Sequence, residues 1–485
     1  MTTLRHIEIV ALAGAIAALG ACAVGPDYKR PGAAAPAAYK EWKVAAPKDD
    51  VRRGEWWKIY GNPALDDLMA QVNISNQTLK QAEANYRQAH AAVAGARAQF
   101  FPTVAISASA TRSGRGQGSS TPFVSSNGVV VGGGTGGSTI TNQYSLPLDV
   151  NWEPDLWGKV RRTVESSAAT AQASAAELEA TRLSLLAELA ADYFQLRVLD
   201  DQQRLLDDTV AAYQKALDLT KNQYASGVAA KLDVMQAETQ LKTTQAQAID
   251  NGVQRATLEH AIAVLIGKPP ADFSIAPEKM AFTIPVIPPG LPSELLERRP
   301  DIAQAEREVA SANAQIGVAE SAYFPDLTLS ATAGYQSAAF ADWISAPNRF
   351  WSLGPALAET LLDFGARRAQ VEQARAAYDA SVANYRQVVL GGFQEVEDNL
   401  AALRILEQEA RVQDEAVKAA EQALQIALNE YKAGTQNYLT VVSAQAAALS
   451  NERTALTVLS SRLTASVTLI KALGGSWGAS QLPSD

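Results

Sequence analysis

Few residues in this 485-residue chain are able to do chemistry, and their spacing excludes most of it. The three histidines, His6, His90 and His260, are too few and too scattered for a His-based zinc site. The single cysteine, Cys22, excludes an intrachain disulfide and a cysteine-cluster metal centre. No nucleophile–base pair, phosphate loop or metal cluster stands out, and nothing in the sequence supports a catalytic His, so no enzyme is expected. Gly132-Gly133-Gly134 is a lone glycine run with no strand–helix phosphate plan around it and reads as a flexible loop tip. What remains is thiol chemistry at Cys22 and the electrostatics of carboxylates such as Asp233.

The surroundings of Cys22 point to covalent lipidation. Met1 to Ala21 has a short basic start, Arg5 and His6, and then an apolar run from Ile9 to Leu19. The run is shorter than the roughly 20 apolar residues a spanning helix needs, and it suits a signal peptide. It ends in Leu19-Gly20-Ala21-Cys22, which resembles a bacterial lipobox, where cleavage exposes the thiol for diacylglyceryl transfer. The alternative is a buried cysteine in an ordinary signal region, and Glu8, close to the apolar run, counts on that side. Acyl chains contribute about 0.8 kcal/mol per buried methylene, so several chains anchor firmly. Ala23 follows the cysteine. In the lipoproteins the motif resembles, Asp there favours the inner membrane, so the outer membrane is expected. Loss of residues 1–21 removes Arg5 and Glu8 together and leaves the net charge at −9.

Composition narrows the class. Apolar residues make up 47% and charged ones 19%, which excludes a disordered chain. With 42 basic and 51 acidic residues there is no basic field for nucleic acid.

The elements that position these residues come in a tandem repeat. Residues 79–112 align with 302–335, matching Gln81-Ala82-Glu83 to Gln304-Ala305-Glu306 and Phe101-Pro102 to Phe324-Pro325. Further on, at an offset of 207, Gly158 meets Gly365, Arg161 meets Arg368, Tyr224 meets Tyr431, Gly227 meets Gly434 and Gly267 meets Gly474. The offset changes across a glycine-rich loop, 113–142, which makes the tip of the first repeat longer. Two such units are expected to lie side by side. Each reads helix, two strands, long helix, tight turn, long helix. Leu156 to Lys268 and Ala356 to Leu482 contain no proline and are rich in Ala, Glu, Gln, Leu and Arg. Apolar residues recur at helical spacing, as in Leu183, Leu186, Leu189 and Tyr193. Lys159 to Ser226, if continuous, extends about 100 Å, a span suited to a periplasm and more than a compact domain needs. A fibrous coiled coil without a channel would share these helices.

Strand signals lie between the helices. Tyr144, Leu146, Leu148, Val150 and Trp152 alternate with polar residues, as do Leu327, Leu329, Ala331, Ala333 and Tyr335, and Val104, Ile106, Ala108 and Ala110. A fourth segment, Phe350 to Leu361, is weaker because Glu359 interrupts its apolar side. Segments of about ten residues with one apolar face match membrane-barrel strands, although a half-buried soluble sheet alternates in the same way. Pro147 and Pro355 each remove a ladder donor, so a bulge or an edge is expected at both. Four strands cannot close a membrane barrel, and lipid tolerates no open edge, so the barrel must be shared between subunits.

These features resemble the TolC-like outer membrane efflux proteins, in particular the OprM and NodT type lipoproteins that serve tripartite RND pumps. The residues that carry the resemblance are Cys22-Ala23-Val24-Gly25-Pro26-Asp27-Tyr28, Trp56-Trp57, Asn62-Pro63-Ala64-Leu65, Phe101-Pro102, Arg298-Arg299-Pro300-Asp301-Ile302 and Tyr323-Phe324-Pro325. The Arg-Arg-Pro-Asp-Ile run also has a structural reading, with Pro300 suited to a first helical turn and Asp301 and Glu306 to the positive helix start.

The resemblance implies an α+β membrane protein, the tandem-repeat protomer of a trimeric 12-stranded outer-membrane β-barrel continuous with a long periplasmic α-helical barrel. Its organisation is then a signal peptide (1–21), an acylated N-terminal segment (22–61), repeat 1 (62–268, strands 103–112 and 143–153), an equatorial linker (269–292), repeat 2 (293–474, strands 326–337 and 350–361) and a tail (475–485). The partners implied are two further copies, a periplasmic membrane-fusion adaptor, an inner-membrane RND transporter and outer membrane lipid. No cofactor is expected beyond the lipid on Cys22. The tip turns, Ser226-Gly227-Val228 and Ala433-Gly434-Thr435, match adaptor-contact positions, and their glycines suit chain reversal between helices. Near them, Tyr224, Tyr431, Asp233, Gln436, Leu439, Thr440 and Ser443 match the periplasmic aperture. Asp233 would form a ring favouring cations, although a solvated helix face would also place an Asp there. Thr440 and Ser443 stand where relatives carry acids, and Gln436 where some carry Arg, so closure would rest more on Leu439. The function implied is passive efflux. A coiled-coil envelope spacer and a duct for an ATP-driven protein exporter are the alternatives.

Overall fold

The structure, a computed structural model, describes residues 23–33, 35–36, 39–40, 55–115, 139–280, 284–285, 287, 295–475 and 477–483. The expected signal peptide, Cys22, and the glycine run Gly132-Gly133-Gly134 lie outside the described residues.

The element order repeats. Helices α1 (Pro63–Ser75) and α2 (Gln77–Ala98) lead to β1 (Thr103–Ile106), β2 (Ser109–Arg115) and β3 (Thr139–Trp152). Then come the long helix α3 (Lys159–Ala225) and its return α4 (Lys231–Leu265). The second half has α5 (Leu295–Arg298), α6 (Pro300–Ser321), β4 (Asp326–Ser337), β5 (Arg349–Ala358), α7 (Ala366–Lys432) and α8 (Tyr438–Ala472). The two long helices have 67 residues each and their returns 35 each, so the duplication is kept to the residue. Among the described residues no helix is long and apolar enough to cross a membrane.

The chain divides into two compact units. One comprises Met1–Lys29, His90–Ala168 and Ala310–Asp379, and the other Arg30–Ala89, Ala169–Val309 and Ala380–Asp485.

The first unit holds one antiparallel sheet in the order β1–β3–β4–β5, with β2 continuing beside β3. Directly opposed residues share a face, so the register sorts the side chains. Val104, Val150, Ala331 and Leu353 form one row, and Ile106, Leu148, Ala333 and Trp351 the next. On the opposite face Asp149, Thr332 and Ser352 share a row, as do Asn151, Ser330 and Gly354. One face is therefore apolar and the other polar. Aromatic clusters flank the apolar rows. Trp157 stacks on Phe324 at 4.9 Å at the helix end, and Tyr144 meets Phe340 at 5.4 Å at the far end.

The strands differ from expectation at three places. The first, expected as 103–112, is split into β1 and β2, with Ser107 and Ala108 outside both ladders although the Ser107 N–H still donates to Pro147 O at 3.1 Å. They lie opposite Leu146 and Pro147, and Pro147 has no N–H to donate, so the ladder is interrupted there. The register is the same on both sides, so the feature is a gap and not the expected bulge. A Cβ on Gly334, opposite Pro147, would lie 2.2 Å from the Leu146 carbonyl oxygen, so a glycine is required there. The second strand begins at Thr139, before the expected 143, and the fourth ends at Ala358, short of the expected 361. Glu359, which interrupts the apolar side in the sequence, lies beyond that end. Pro355 lies on β5, the last strand of the sheet, where a missing donor is tolerated.

An Asp–Arg pair marks each strand-to-helix junction. Asp155 accepts the N–H groups of Val160 and Arg161 and pairs with the Arg161 guanidinium at 3.1 Å. Asp363 accepts from Gly365 and Arg367 and pairs with Arg367 at 2.6 Å. The Arg367 guanidinium, and then the two N–H groups, hold the Asp363 carboxyl down at about 2. The aligned counterpart of Arg161 is Arg368, the third residue of its helix, but the Asp partner in the second junction is Arg367, four residues after its Asp instead of six.

The second unit is built on a core around the 3-10 turn Trp56–Tyr60. Trp56, Trp57 and Tyr60 pack with Leu65 and Met69 of α1, Leu189 and Phe194 of α3, Ile262 of α4 and Val467 of α8. Asn62 caps α1 by accepting the Leu65 N–H at 2.8 Å and also receives the Tyr193 hydroxyl at 3.1 Å. The helices are held by this buried apolar surface, since their propensity alone is weak stabilisation.

Candidate functional site

The two hairpin tips are built alike. Gly227 and Gly434 take φ of 80° and 75°, the left-handed region that L residues avoid. The Gly227 N–H donates to Tyr224 O at 3.0 Å and the Val228 N–H to Gln223 O at 2.8 Å. The Gly434 N–H donates to Tyr431 O and the Thr435 N–H to Glu430 O, both at 3.0 Å. This paired pattern satisfies the last free carbonyls of a helix and reverses the chain. A Cβ on either glycine would meet open space, so backbone conformation and not crowding selects the residue. Ser226, Gly227, Val228, Ala433, Gly434 and Thr435 are all exposed, with Val228 at 73%.

The returning helices start with complementary caps at equivalent positions. Asp233, in the first turn of α4, accepts the Ala230 N–H at 3.2 Å. In the second hairpin the carbonyl oxygen of Asn437 accepts the Thr440 N–H at 3.1 Å. Thr440 also donates its hydroxyl toward Gln436 at 3.3 Å. Asp233 is half-buried, whereas Leu439, Thr440, Ser443 and Gln436 are exposed. Leu232, the repeat counterpart of Leu439, is exposed as well.

Behind the turns lies a buried tyrosine cluster that sequence reasoning found only in part. Tyr431 and Tyr438 meet edge to face at 5.1 Å, packed with Tyr213, Leu217, Val234 and Leu241. Tyr431 donates its hydroxyl to Thr220, which is fully buried, at 3.4 Å. Burial, then the neighbouring tyrosines and the Asp233 charge, push the Tyr438 hydroxyl up to about 12. Tyr431 and Asp233 thus come together around Tyr438. Tyr224, the repeat counterpart of Tyr431, is exposed and joins no such cluster. The missed residues, Tyr213, Thr220 and Tyr438, carried one signal: two tyrosines seven residues apart across a glycine turn.

A second constellation, in the strand-bearing unit, seats the residues that follow Cys22. The Val24 N–H donates to Trp157 O at 3.0 Å. The buried Arg162 guanidinium donates to Val24 O and Gly25 O, both at 3.1 Å, and pairs with Asp27 at 2.9 Å. Asn313 donates to Pro26 O at 2.9 Å. Gly25 has φ of 96°, and a Cβ on it would lie 2.3 Å from the Gly317 Cα. Gly158 and Gly317 likewise have no room for a Cβ beside Ala23 and Val24. The slot is thus built around Ala23 to Asp27, and its far wall, Asn313 and Gly317, carried no sequence signal.

The Arg298-Arg299-Pro300-Asp301-Ile302 run is structural in its contacts. Arg299 grips Asp301 with two nitrogens, at 3.0 and 2.6 Å, and reaches Glu395 at 2.7 Å and Ala472 O at 3.1 Å. These carboxylates hold the guanidinium firmly charged despite its burial. Arg298 presses on the following turn, where a Cβ on Gly474 would lie 2.1 Å from its carbonyl oxygen. No group of three or more His, Cys, Asp or Glu side chains able to hold a metal ion occurs among the described residues.

The profile of the family described as outer membrane efflux protein matches residues 68–268 and 291–475, that is, both halves of the repeat. The probable efflux pump outer membrane protein TtgC of Pseudomonas putida is 32% identical over 476 residues, covering 97% of this chain and 96% of its own. The pyoverdine export outer membrane protein OpmQ of Pseudomonas aeruginosa is 30% identical over 475 residues, 96% of this chain and 97% of its own. The solved outer-membrane channel OprN superposes with a TM-score of 0.84 at 31% identity, covering 94% of this chain and 99% of its own. The Campylobacter jejuni outer membrane channel CmeC, at 21% identity and a TM-score of 0.85, shares the fold. With both repeats matched and relatives aligned over almost the whole length, the chain belongs to the outer membrane efflux protein family.

Proposed function

We propose that the chain is the passive outer membrane duct of a tripartite efflux pump, acting as a homotrimer and doing no chemistry of its own. The observation that carries this is the sheet, in which apolar and polar residues are sorted to opposite faces row by row across the strands. A face of Val104, Ile106, Trp351, Leu353 and Leu357 suits lipid, and a face of Asp149, Asn151, Ser330 and Thr332 suits a water-filled lumen. Among the described residues both sheet edges are unpaired, and lipid does not tolerate that. Three copies close a twelve-stranded barrel, and their helical hairpins form the periplasmic tube.

The paired hairpin tips are the proposed docking points for a periplasmic adaptor, which links the duct to an inner-membrane RND transporter. Their exposed, backbone-satisfied turns support this role. Asp233, Leu439, Thr440, Ser443, Gln436, Tyr224 and Tyr431 form the aperture in this reading. The lipid on Cys22 anchors the chain to the outer membrane, and the slot that binds Ala23 to Asp27 supports this, because it ties the anchor to the foot of the sheet. The relatives are named for antibiotic, toluene, solvent and pyoverdine efflux, which favours small organic molecules as cargo. No cofactor is proposed beyond the lipid.

A photo-crosslinker at Val228 or Thr435 in living cells tests the reading. Capture of the adaptor of a proton-driven drug pump is expected. Capture of an ATP-driven exporter's adaptor would keep the duct and change its cargo. Purified protein that is monomeric and forms no pores in a bilayer would overturn the duct itself.

A further inference from the structure

We infer that Asp149, in the middle of the sheet's polar face, sets the ion preference of the pore at the level of the membrane. The inference rests on the trimeric duct proposed above.

The register isolates this residue. On the polar face the other positions along the strands are Thr103, Ala105, Ser145, Asn151, Thr328, Ser330, Gly334, Gln336, Ser352 and residues of similar neutral type. Among the strand residues with described side chains, the charges on that face are Asp149 and Asp326. Asp326 lies at the foot of β4, 4.0 Å from the Lys159 ammonium, which also reaches Glu153 at 3.2 Å. There one ammonium is shared between two carboxylates, at the end of the strands and not in the middle of the face. Asp149 has no basic partner among the described residues. Its carboxylate accepts only the Thr332 hydroxyl, at 2.7 Å, from the adjacent position in its row. The hydrogen bond fixes the direction of the side chain without neutralising it.

Geometry makes one such charge per chain effective. Twelve strands about 4.8 Å apart and tilted about 40° close a cylinder of roughly 12 Å radius at the backbone. A carboxylate projecting inward then lies about 8 Å from the axis, close to the screening length at physiological ionic strength. Three of them in one row bring the axis to about one kT of negative potential in water, and low-dielectric walls focus it further. Cations are enriched about threefold and anions depleted about as much, a ratio on the order of fivefold to tenfold. This ring belongs to the strands and is independent of whether the periplasmic tips are open.

The test is a reversal-potential measurement on reconstituted trimers in a salt gradient. Asp149→Asn keeps an acceptor for the Thr332 hydroxyl and removes only the charge. The cation-over-anion permeability ratio should fall several-fold toward one, with conductance retained. Ser352→Lys, which places a cation in the same row, should lower the ratio further or invert it, and it keeps the test decisive if Asp149→Asn fails to assemble. An unchanged ratio in conducting Asp149→Asn channels, or in Ser352→Lys channels where Asp149→Asn does not assemble, would overturn the inference and leave the duct standing. Wild-type protein that conducts nothing would instead overturn the duct.

Discussion

Asp233 caps the hairpin tip, and the proposed aperture gives it a second role that can be separated from the first. Its carboxylate accepts the Ala230 N–H and so caps α4, which contributes about 0.5–1 kcal/mol locally. In the proposed trimer the same charge faces its copies. Asp233→Ala should therefore loosen the tip and lower cation preference in reconstituted channels. Loosening with unchanged selectivity would leave the cap and remove the ring. Asp192 gives a pH-dependent prediction. Burial first, and then Glu188 one turn before it, push its carboxyl up to about 6. A folded value above the unfolded one means that this group's contribution to stability is fully present below about pH 4 and is lost as pH rises through 6. Asp192→Asn should raise the melting temperature at pH 7.5, by an amount equivalent to about 1 kcal/mol after solvent screening, and should have no effect at pH 4. Equal shifts at both pH values would show that packing, not charge, is responsible.

At the scale of elements, three joints hold the fold. The first is the slot for Ala23 to Asp27. Arg162→Ala removes three long-range contacts from that segment, and Gly317→Val fills its floor. Either should release the N-terminal segment to limited proteolysis while the proposed lipid on Cys22 is retained by mass spectrometry. Continued protection would mean that the slot is dispensable. The second joint is Arg299. Arg299→Ala leaves Asp301, Glu395 and a buried carbonyl without their donor and should cost about 2–3 kcal/mol in denaturant unfolding. The third is the tip glycine. Gly434→Ala forces φ near 75° on an L residue, at a cost of about 1 kcal/mol or more, and should lower adaptor capture from Thr435 more than overall stability.

At the scale of the molecule, duplication does what one repeat cannot. A single repeat supplies two strands and one hairpin, too few to cover an apolar face or close a lumen. Two repeats supply a four-strand unit whose edges remain open, and those edges are the strongest physical reason for assembly. The whole molecule should therefore migrate as a heat-modifiable trimer on gels. Migration as a monomer before and after heating would contradict the shared barrel.

Much of this was legible before any coordinates. The repeat, the two hairpins with their glycine turns and the strand alternation are local patterns, set by backbone conformation and by the periods of two and about 3.6. Strand ends were less legible, because the ladder, not hydropathy, terminates a strand. Pro147 interrupts β1 and β2 on a neighbouring strand, an effect no window along residues 103–112 contains.

The sequence by itself determined the element order, the duplication and the positions at which the chain reverses, because each depends on residues close in the chain. Only the tertiary structure decided which residues meet. Tyr438 joins Tyr431 and Tyr213 while Tyr224 stays exposed. Arg162 and Asn313 close on Gly25 and Pro26 across more than a hundred residues. Asp149 has no basic partner among the described residues in the middle of a face whose other charge, Asp326, lies at the strand end beside Lys159. Such contacts depend on register and on which helix faces pack together, and those are fixed when distant segments bury their apolar sides together.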